Sequence, residues 1–268
     1  MLPADFHIHT CRDHGKGTPA DFVREATRAG ISLLGLVGHA QMEFPCSYAM
    51  TPAAESTFLT EMAALKPQFP GQLFRGIELD YYSLPVMLPY DYRIGSVHYV
   101  KAEGRVISVD SDPDELASDV QSCFGGDFRR FYQLYYETVA DIMTKTGADI
   151  VGHFDLVTKF NEDGRLFSTA DPAYRHAALE AVDALLEKAP LFEINTGAIS
   201  RGYRTEPYPA PWILKRIHDR GGRIILSSDA HAPENMLYHF CQSAEVAKEC
   251  GFRTAWVLTE DGFQEHPL

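Results

Sequence analysis

Two periodicities take turns along the chain. Strand-length apolar runs occur at 4–8, 32–37, 72–78, 92–97, 148–152, 191–195, 223–227 and 254–258. Between them, apolar residues recur at three-to-four spacing over 19–29, 52–66, 127–146, 172–189, 209–220 and 240–250, which predicts amphipathic helices. Thr18-Pro19 and Asp171-Pro172 place a capping side chain before a proline suited to the first helical turn, and Gly30, Gly147 and Gly221-Gly222 stand where helices should stop. Repeating βα units predict an α/β fold with a parallel sheet and helices outside it. The rhythm breaks once, over 101–126. There Glu103-Gly104 predicts a short hairpin and Asp110-Ser111-Asp112-Pro113 a helix start, an insertion beside the face where the strands end.

The strand ends carry the chemistry. His7 and His9 stand at i and i+2, on one side of a strand. His39 follows the run at 33–37, Glu78 the run at 72–77 and His98 the run at 92–97; His153 follows 150–152, and Asp229 and His231 follow 224–228. With His14 in the first loop, seven of the eleven histidines lie at or just beyond strand ends. Imidazole and carboxylate are ligands for Zn, Mn and Fe, so the pattern predicts a multinuclear metal hydrolase. Because the ligands come from nearly every strand, a closed barrel is expected rather than an open sheet with one crevice, and no glycine-rich phosphate loop is present.

Composition narrows the picture. A formal charge of −13 with 24 Lys and Arg disfavours a nucleic-acid surface. No apolar run is long enough for a signal peptide or membrane span, and five scattered cysteines without a C-x-x-C pair fit a reducing, cytoplasmic setting. Cys11 is either a ligand or a small thiol in a loop. The 268 residues are read as one domain, with a monomer or small homo-oligomer expected.

The ordered set D-x-H-x-H, G-H39, G-I-E78, G-S-V-H98, G-H153-F-D and S-S-D229-A-H231 resembles the polymerase and histidinol phosphatase (PHP) family, within it the bacterial type of histidinol-phosphatase. Asp91 to Tyr99, Glu193-Ile194-Asn195-Thr196-Gly197 and Tyr208-Pro209-Ala210-Pro211 add to the likeness. The resemblance implies a distorted (β/α)7 barrel with a trinuclear centre of divalent Zn, Mn or Fe at the C-terminal strand ends. Its implied ligands are His7, His9, His14, His39, Glu78, His98, His153, Asp229 and His231, with Glu78 as a bridging carboxylate. Two departures stand out: Val37-Gly38-His39 replaces T-D-H, and the His9–His14 interval is short by about one residue, so Asp13 is an alternative to His14.

The implied reaction is hydrolysis of the small phosphomonoester L-histidinol phosphate, with another phosphoesterase of the family as the alternative. Arg201, Arg204, Lys159 and Arg165 are candidate phosphate contacts, because guanidinium and ammonium groups complement a phosphate dianion; pairing with nearby acids is their ordinary alternative. Asp229 and Glu78 are assigned to the reacting centre, with His231 as a candidate proton donor. Asp155 would orient His153 or cap a turn. Tyr81, Tyr82 and Tyr99 either wall the pocket or pack in the barrel mouth, whereas the stripe from Phe128 to Tyr136 reads as core. His176, His218, His239 and His266 read as solvated.

Overall fold

A computed structural model describes residues 3–268. Its strands are β1 (Ala4–Asp5), β2 (Leu33–Leu36), β3 (Gln72–Asp80), β4 (Tyr92–Ser96), β5 (Tyr99–Ala102), β6 (Arg105–Ser108), β7 (Ile150–Val151), β8 (Leu191–Asn195), β9 (Arg223–Ser227), β10 (Thr254–Thr259) and β11 (Gly262–Pro267). The helices are α1 (Pro19–Ala29), α2 (Pro52–Leu65), α3 (Pro113–Phe124), α4 (Phe128–Thr146), α5 (Pro172–Leu186), α6 (Gly197–Ser200), α7 (Pro211–Asp219) and α8 (Phe240–Glu249).

Seven strands pair in parallel in the order β1-β2-β3-β4-β7-β8-β9. The ends of this sheet meet where Ile8 bridges Ala230: the His9 amide donates to the Ala230 carbonyl at 2.8 Å, and the Ala230 amide to that of His7 at 3.2 Å. The result is a nearly closed (β/α)7 barrel. Two strands are shorter than the apolar pattern predicts. β1 loses regular pairing after Asp5, and the Phe6 carbonyl accepts from the Tyr92 hydroxyl at 2.5 Å. Around β7, single bonds from Asp149 to Arg93 and from Gly152 to Gly95 extend the pairing on either side.

The Tyr92 ring fills the barrel interior against Phe6 and Phe74. It fits because Gly35 and Gly76 carry no Cβ; a methyl group at either would overlap the phenol. The run at 254–258 is not a barrel strand. It forms β10, antiparallel to β11, and packs Val257 and Leu258 against residues that open the barrel strands, Ala4, Leu33, Tyr92, Ile150 and Leu191. This hairpin covers the N-terminal end of the barrel, opposite the metal-ligand types.

Helix signals act as expected. Thr18 and Asp21 form a reciprocal capping box on α1, and Gly30 and Gly147 close α1 and α4 in the left-handed conformation. The face of α4 bearing Phe131, Tyr132, Tyr135 and Tyr136 is buried in the largest core cluster. α5 stops at Leu186, ahead of Pro190, which has no amide hydrogen for a further turn. Residues 99–108 form the β5–β6 hairpin, whose turn residues Glu103 and Gly104 both have positive φ, the geometry that matches strand twist in a two-residue loop. Asp112 then caps α3 through the Asp114 and Glu115 amides. Among the described residues, no helix is long and apolar enough to cross a membrane.

Candidate metal centre

The side chains of His7, His9, His39, Glu78, His98, His153 and Asp229 converge, all buried, at the C-terminal mouth of the barrel. His14 and His231 close the group on its solvent side. Glu78 is at the middle. Its Oε2 lies 3.3, 3.2 and 3.1 Å from a ring nitrogen of His7, His9 and His39, and its Oε1 lies 3.1 Å from His153 Nε2 and 3.6 Å from His98 Nε2. The two oxygens therefore face different imidazoles, as a bridge between cations requires. Asp229 Oδ1 is 3.8 Å from His7 Nε2 and 3.7 Å from His9 Nε2. A third vertex is formed by His14 Nε2, which is 3.1 Å from His39 Nε2 and 3.0 Å from His231 Nε2.

This donor set fits divalent cations. Glu78 Oε2 is buried and makes no hydrogen bond, although three imidazole nitrogens surround it. Buried polar atoms are rarely left unsatisfied. Nitrogens of His7 and His9 approach to 3.1 Å, so their lone pairs converge on one point. Three groups that could each hold an ion share these residues: His9, Asp13, His14 and His39; His7, His9 and Asp229; and His39, Glu78 and His98.

Carboxylates behind the imidazoles fix their tautomers. His7 Nδ1 donates to Glu193 Oε1 at 2.6 Å and His9 Nδ1 to Asp13 Oδ2 at 2.6 Å, which leaves each Nε2 lone pair facing the centre. Asp80 Oδ2 lies 3.3 Å from His98 Nδ1 and accepts the His98 amide at 2.8 Å. Burial works against charge on Glu78, yet the surrounding imidazoles of His39 and His7 and the bond from His153 hold its carboxyl well below the usual range. Burial likewise opposes charge on His9, but Asp13 and Glu78 outweigh it and raise the imidazole to about 9, so a cation bound there displaces a proton from Nε2.

The chain turns at Asp229, which has φ 48°; Asp tolerates this left-handed conformation better than most residues. Its carboxylate then faces His7 and His9, and its carbonyl accepts from Arg201 Nη1 at 3.0 Å and lies 2.9 Å from His231 Nδ1, which Arg201 Nη1 also approaches to 2.8 Å. Arg201 Nη2 also donates to Asp229 Oδ2 at 3.0 Å. Above the cluster opens a cavity of about 390 Å3 whose wall includes Arg201, Lys159, Tyr48, Tyr99 and Asp110.

Not every candidate is in this cavity. Arg204 is buried elsewhere: it donates to the Thr158 carbonyl and hydroxyl at 3.1 and 2.7 Å and lies over the Tyr208 ring. These acceptors hold it away from the mouth. Arg165 is exposed in a turn with Asp163, outside the cavity wall. Asp155 neither touches His153 through its side chain nor caps a helix; its Oδ2 accepts the Ala210 amide at 3.1 Å. Tyr81 donates to Asp141 away from the cavity, and Tyr82 does not line it either. Cys11 is exposed and outside the ligand groups, and His176 and His218 lie on helices remote from the cluster.

Sequence reasoning missed three contributors. Glu193 and Asp80 lie within strands, and their signal was a buried acid two residues from another inward polar residue, Asn195 or Glu78. Asp13, named as an alternative to His14, sits with it in one group and also accepts from His9 Nδ1. Tyr48, its ring 4.6 Å from that of His39 and its hydroxyl buried without a partner, follows no apolar run and gave no signal.

Comparison with known proteins points the same way. Residues 5–197 match the PHP domain family. A Deinococcus radiodurans protein named "Probable histidinol-phosphatase" is 30% identical over 93% of this chain and 94% of its own length. A Schizosaccharomyces pombe protein of the same name is 24% identical over 97% and 90%. The crystal structure of Lactococcus lactis histidinol phosphate phosphatase, complexed with Zn, L-histidinol and phosphate, superposes with a TM-score of 0.75, at 19% identity, over 98% of this chain and 99% of that one. The barrel order, the converging strand-end ligands and a match across most of the chain together place this protein in the PHP family.

Proposed function

We propose that this protein is a histidinol-phosphatase: it hydrolyses L-histidinol phosphate to L-histidinol and phosphate, a step of histidine biosynthesis. The observation that carries the assignment is Glu78, whose two oxygens face separate sets of imidazoles at the floor of an open cavity with Arg201 and Lys159 in its wall. Similarity to proteins named histidinol-phosphatases over nearly the whole chain supports the substrate.

Three divalent cations, of Zn, Mn or Fe, would be held by His7, His9, His14, His39, Glu78, His98, His153, Asp229 and His231. Bound there, they supply Lewis acidity toward a phosphoryl oxygen and toward water. In the net reaction a water oxygen joins phosphorus, the phosphorus–alkoxy bond breaks, and a water proton ends on the alcohol. Arg201 and Lys159 hold the phosphate over the cluster, and their fixed positive charge offsets charge building on its oxygens. His231, its Nε2 3.0 Å from that of His14, is placed among the ligands, and its Nδ1 lies 2.9 Å from the Asp229 carbonyl and 2.8 Å from Arg201 Nη1. The five unpaired cysteines fit a reducing cytoplasmic compartment.

Phosphate release tests the assignment. Protein reconstituted with Zn, Mn or Fe is assayed on L-histidinol phosphate, nucleotides and sugar phosphates. The highest kcat/KM is expected on L-histidinol phosphate; at least a hundredfold better turnover of another ester would overturn the substrate, and no turnover of any would overturn the reaction.

A further inference from the structure

We propose that the Asp110 carboxylate, paired with Lys159 in the cavity wall, reads the protonated amine of the substrate and so selects amino-alcohol phosphates over other phosphomonoesters; this rests on the histidinol phosphate assignment above. The β5–β6 hairpin leads straight into Asp110, placing it in the wall together with Ser108 and Ser111. Among the described residues lining the cavity, it is the sole acid apart from Glu78 and Asp229 in the strand-end cluster. Lys159, from the loop after β7, donates to its carbonyl at 2.8 Å and its Oδ2 at 3.0 Å. Side chains of both are mostly covered, with 13% of Lys159 and 23% of Asp110 exposed.

Histidinol phosphate carries a phosphate dianion and, one carbon from the alkoxy carbon, a primary amine that is protonated at neutral pH like that of lysine. Without substrate the wall pair neutralises itself. With substrate, Lys159 turns to the phosphate and Asp110 to the ammonium, so neither charge is stranded in a partly desolvated wall. An ester without the amine takes Lys159 and leaves Asp110 unpaired, a penalty against the wrong substrate as well as a gain for the right one. The phenol rings of Tyr48 and Tyr99, parallel within 8° at 6.3 Å between centroids, border the same cavity and offer faces that favour a cation.

The test compares kcat/KM for L-histidinol phosphate and its des-amino analogue, imidazolylpropyl phosphate, using the full chain reconstituted with Zn or Mn. The wild type should prefer the amine about 30-fold, the scale of one charge-assisted hydrogen bond. Asp110→Asn should bring that ratio to within about threefold, mainly through KM, whereas Asp110→Glu should retain most of it. An Asp110→Asn protein that keeps the wild-type ratio, or loses activity equally on both esters, overturns the proposal alone. A wild type that turns over an unrelated phosphomonoester at least a hundredfold better than both removes the substrate assignment and this proposal together.

Discussion

Glu193 Oε1 accepts the Nδ1 hydrogen of His7 at 2.6 Å, while its Oε2 accepts the His153 amide at 2.8 Å and the Asn195 side chain at 2.9 Å. One buried carboxylate on β8 thus orients a ring from the segment just after β1 and the backbone after β7. Replacing it by glutamine puts an amide NH2 where donors already point. Glu193→Gln should therefore weaken cation binding about 10- to 100-fold while the barrel still folds. Competition with a chelating dye, read beside a thermal melt, separates the two effects; wild-type affinity would refute the role.

Arg201 and Arg204 look equivalent in the sequence and are not equivalent in the fold. Arg201→Ala should lower kcat/KM on phosphomonoesters about a hundredfold with little change in melting temperature. Arg204→Ala removes two charge-assisted hydrogen bonds to Thr158 and the packing over Tyr208, and should cost about 2–4 kcal/mol of stability. Kinetics and urea denaturation of both variants check the division, and an exchange of the two phenotypes would contradict it.

Much of the site was legible because chelating residues recur after apolar runs, a pattern that survives without knowledge of strand partners. What supports them was not. Glu193 and His7 are 186 positions apart, and nothing local says that β8 comes to lie next but one to β1 when the barrel closes beside β9. The run at 254–258 is the strand β10, but its apolar residues do not say which sheet it joins, because a hairpin covering the barrel's N-terminal end buries Val257 and Leu258 as a barrel strand would. Arg204 could not be separated from Arg201, since the polar groups that hold it, around Thr158, come from a different loop.

Tyr92 and Gly76 are a matched pair on neighbouring strands. A methyl group at position 76 would overlap the Tyr92 ring, and the ring is held in place by its bond to the Phe6 carbonyl. Gly76→Ala should destabilise the protein by about 1–3 kcal/mol, the usual range for overpacking. Urea unfolding measures this; a variant as stable as the wild type would show that the interior is looser than the packing implies.

Asp91 anchors the start of β4 to β3. It accepts the Arg75 amide at 2.7 Å and two guanidinium nitrogens at 3.2 and 3.0 Å. Burial opposes its ionisation, but these bonds, with the charges of Arg75 and Lys66, lower its pKa. A carboxyl depressed on folding contributes stability above its unfolded pKa, which is lost as pH falls through the folded one. Asp91→Asn should thus cost about 1 kcal/mol at neutral pH, allowing for solvent screening. The difference from wild type should shrink once pH falls below about 4. Denaturation at several pH values checks the sign; a gap that widens in acid would reverse it.

The most direct measurement is anomalous diffraction from crystals grown with Zn or Mn. Peaks are expected at the barrel mouth, with Glu78 between two of them and His14, His39 and His231 around another. No peak within coordination distance of Glu78, or metal bound only outside the cluster, would contradict the convergence of these strand ends on a shared set of cations.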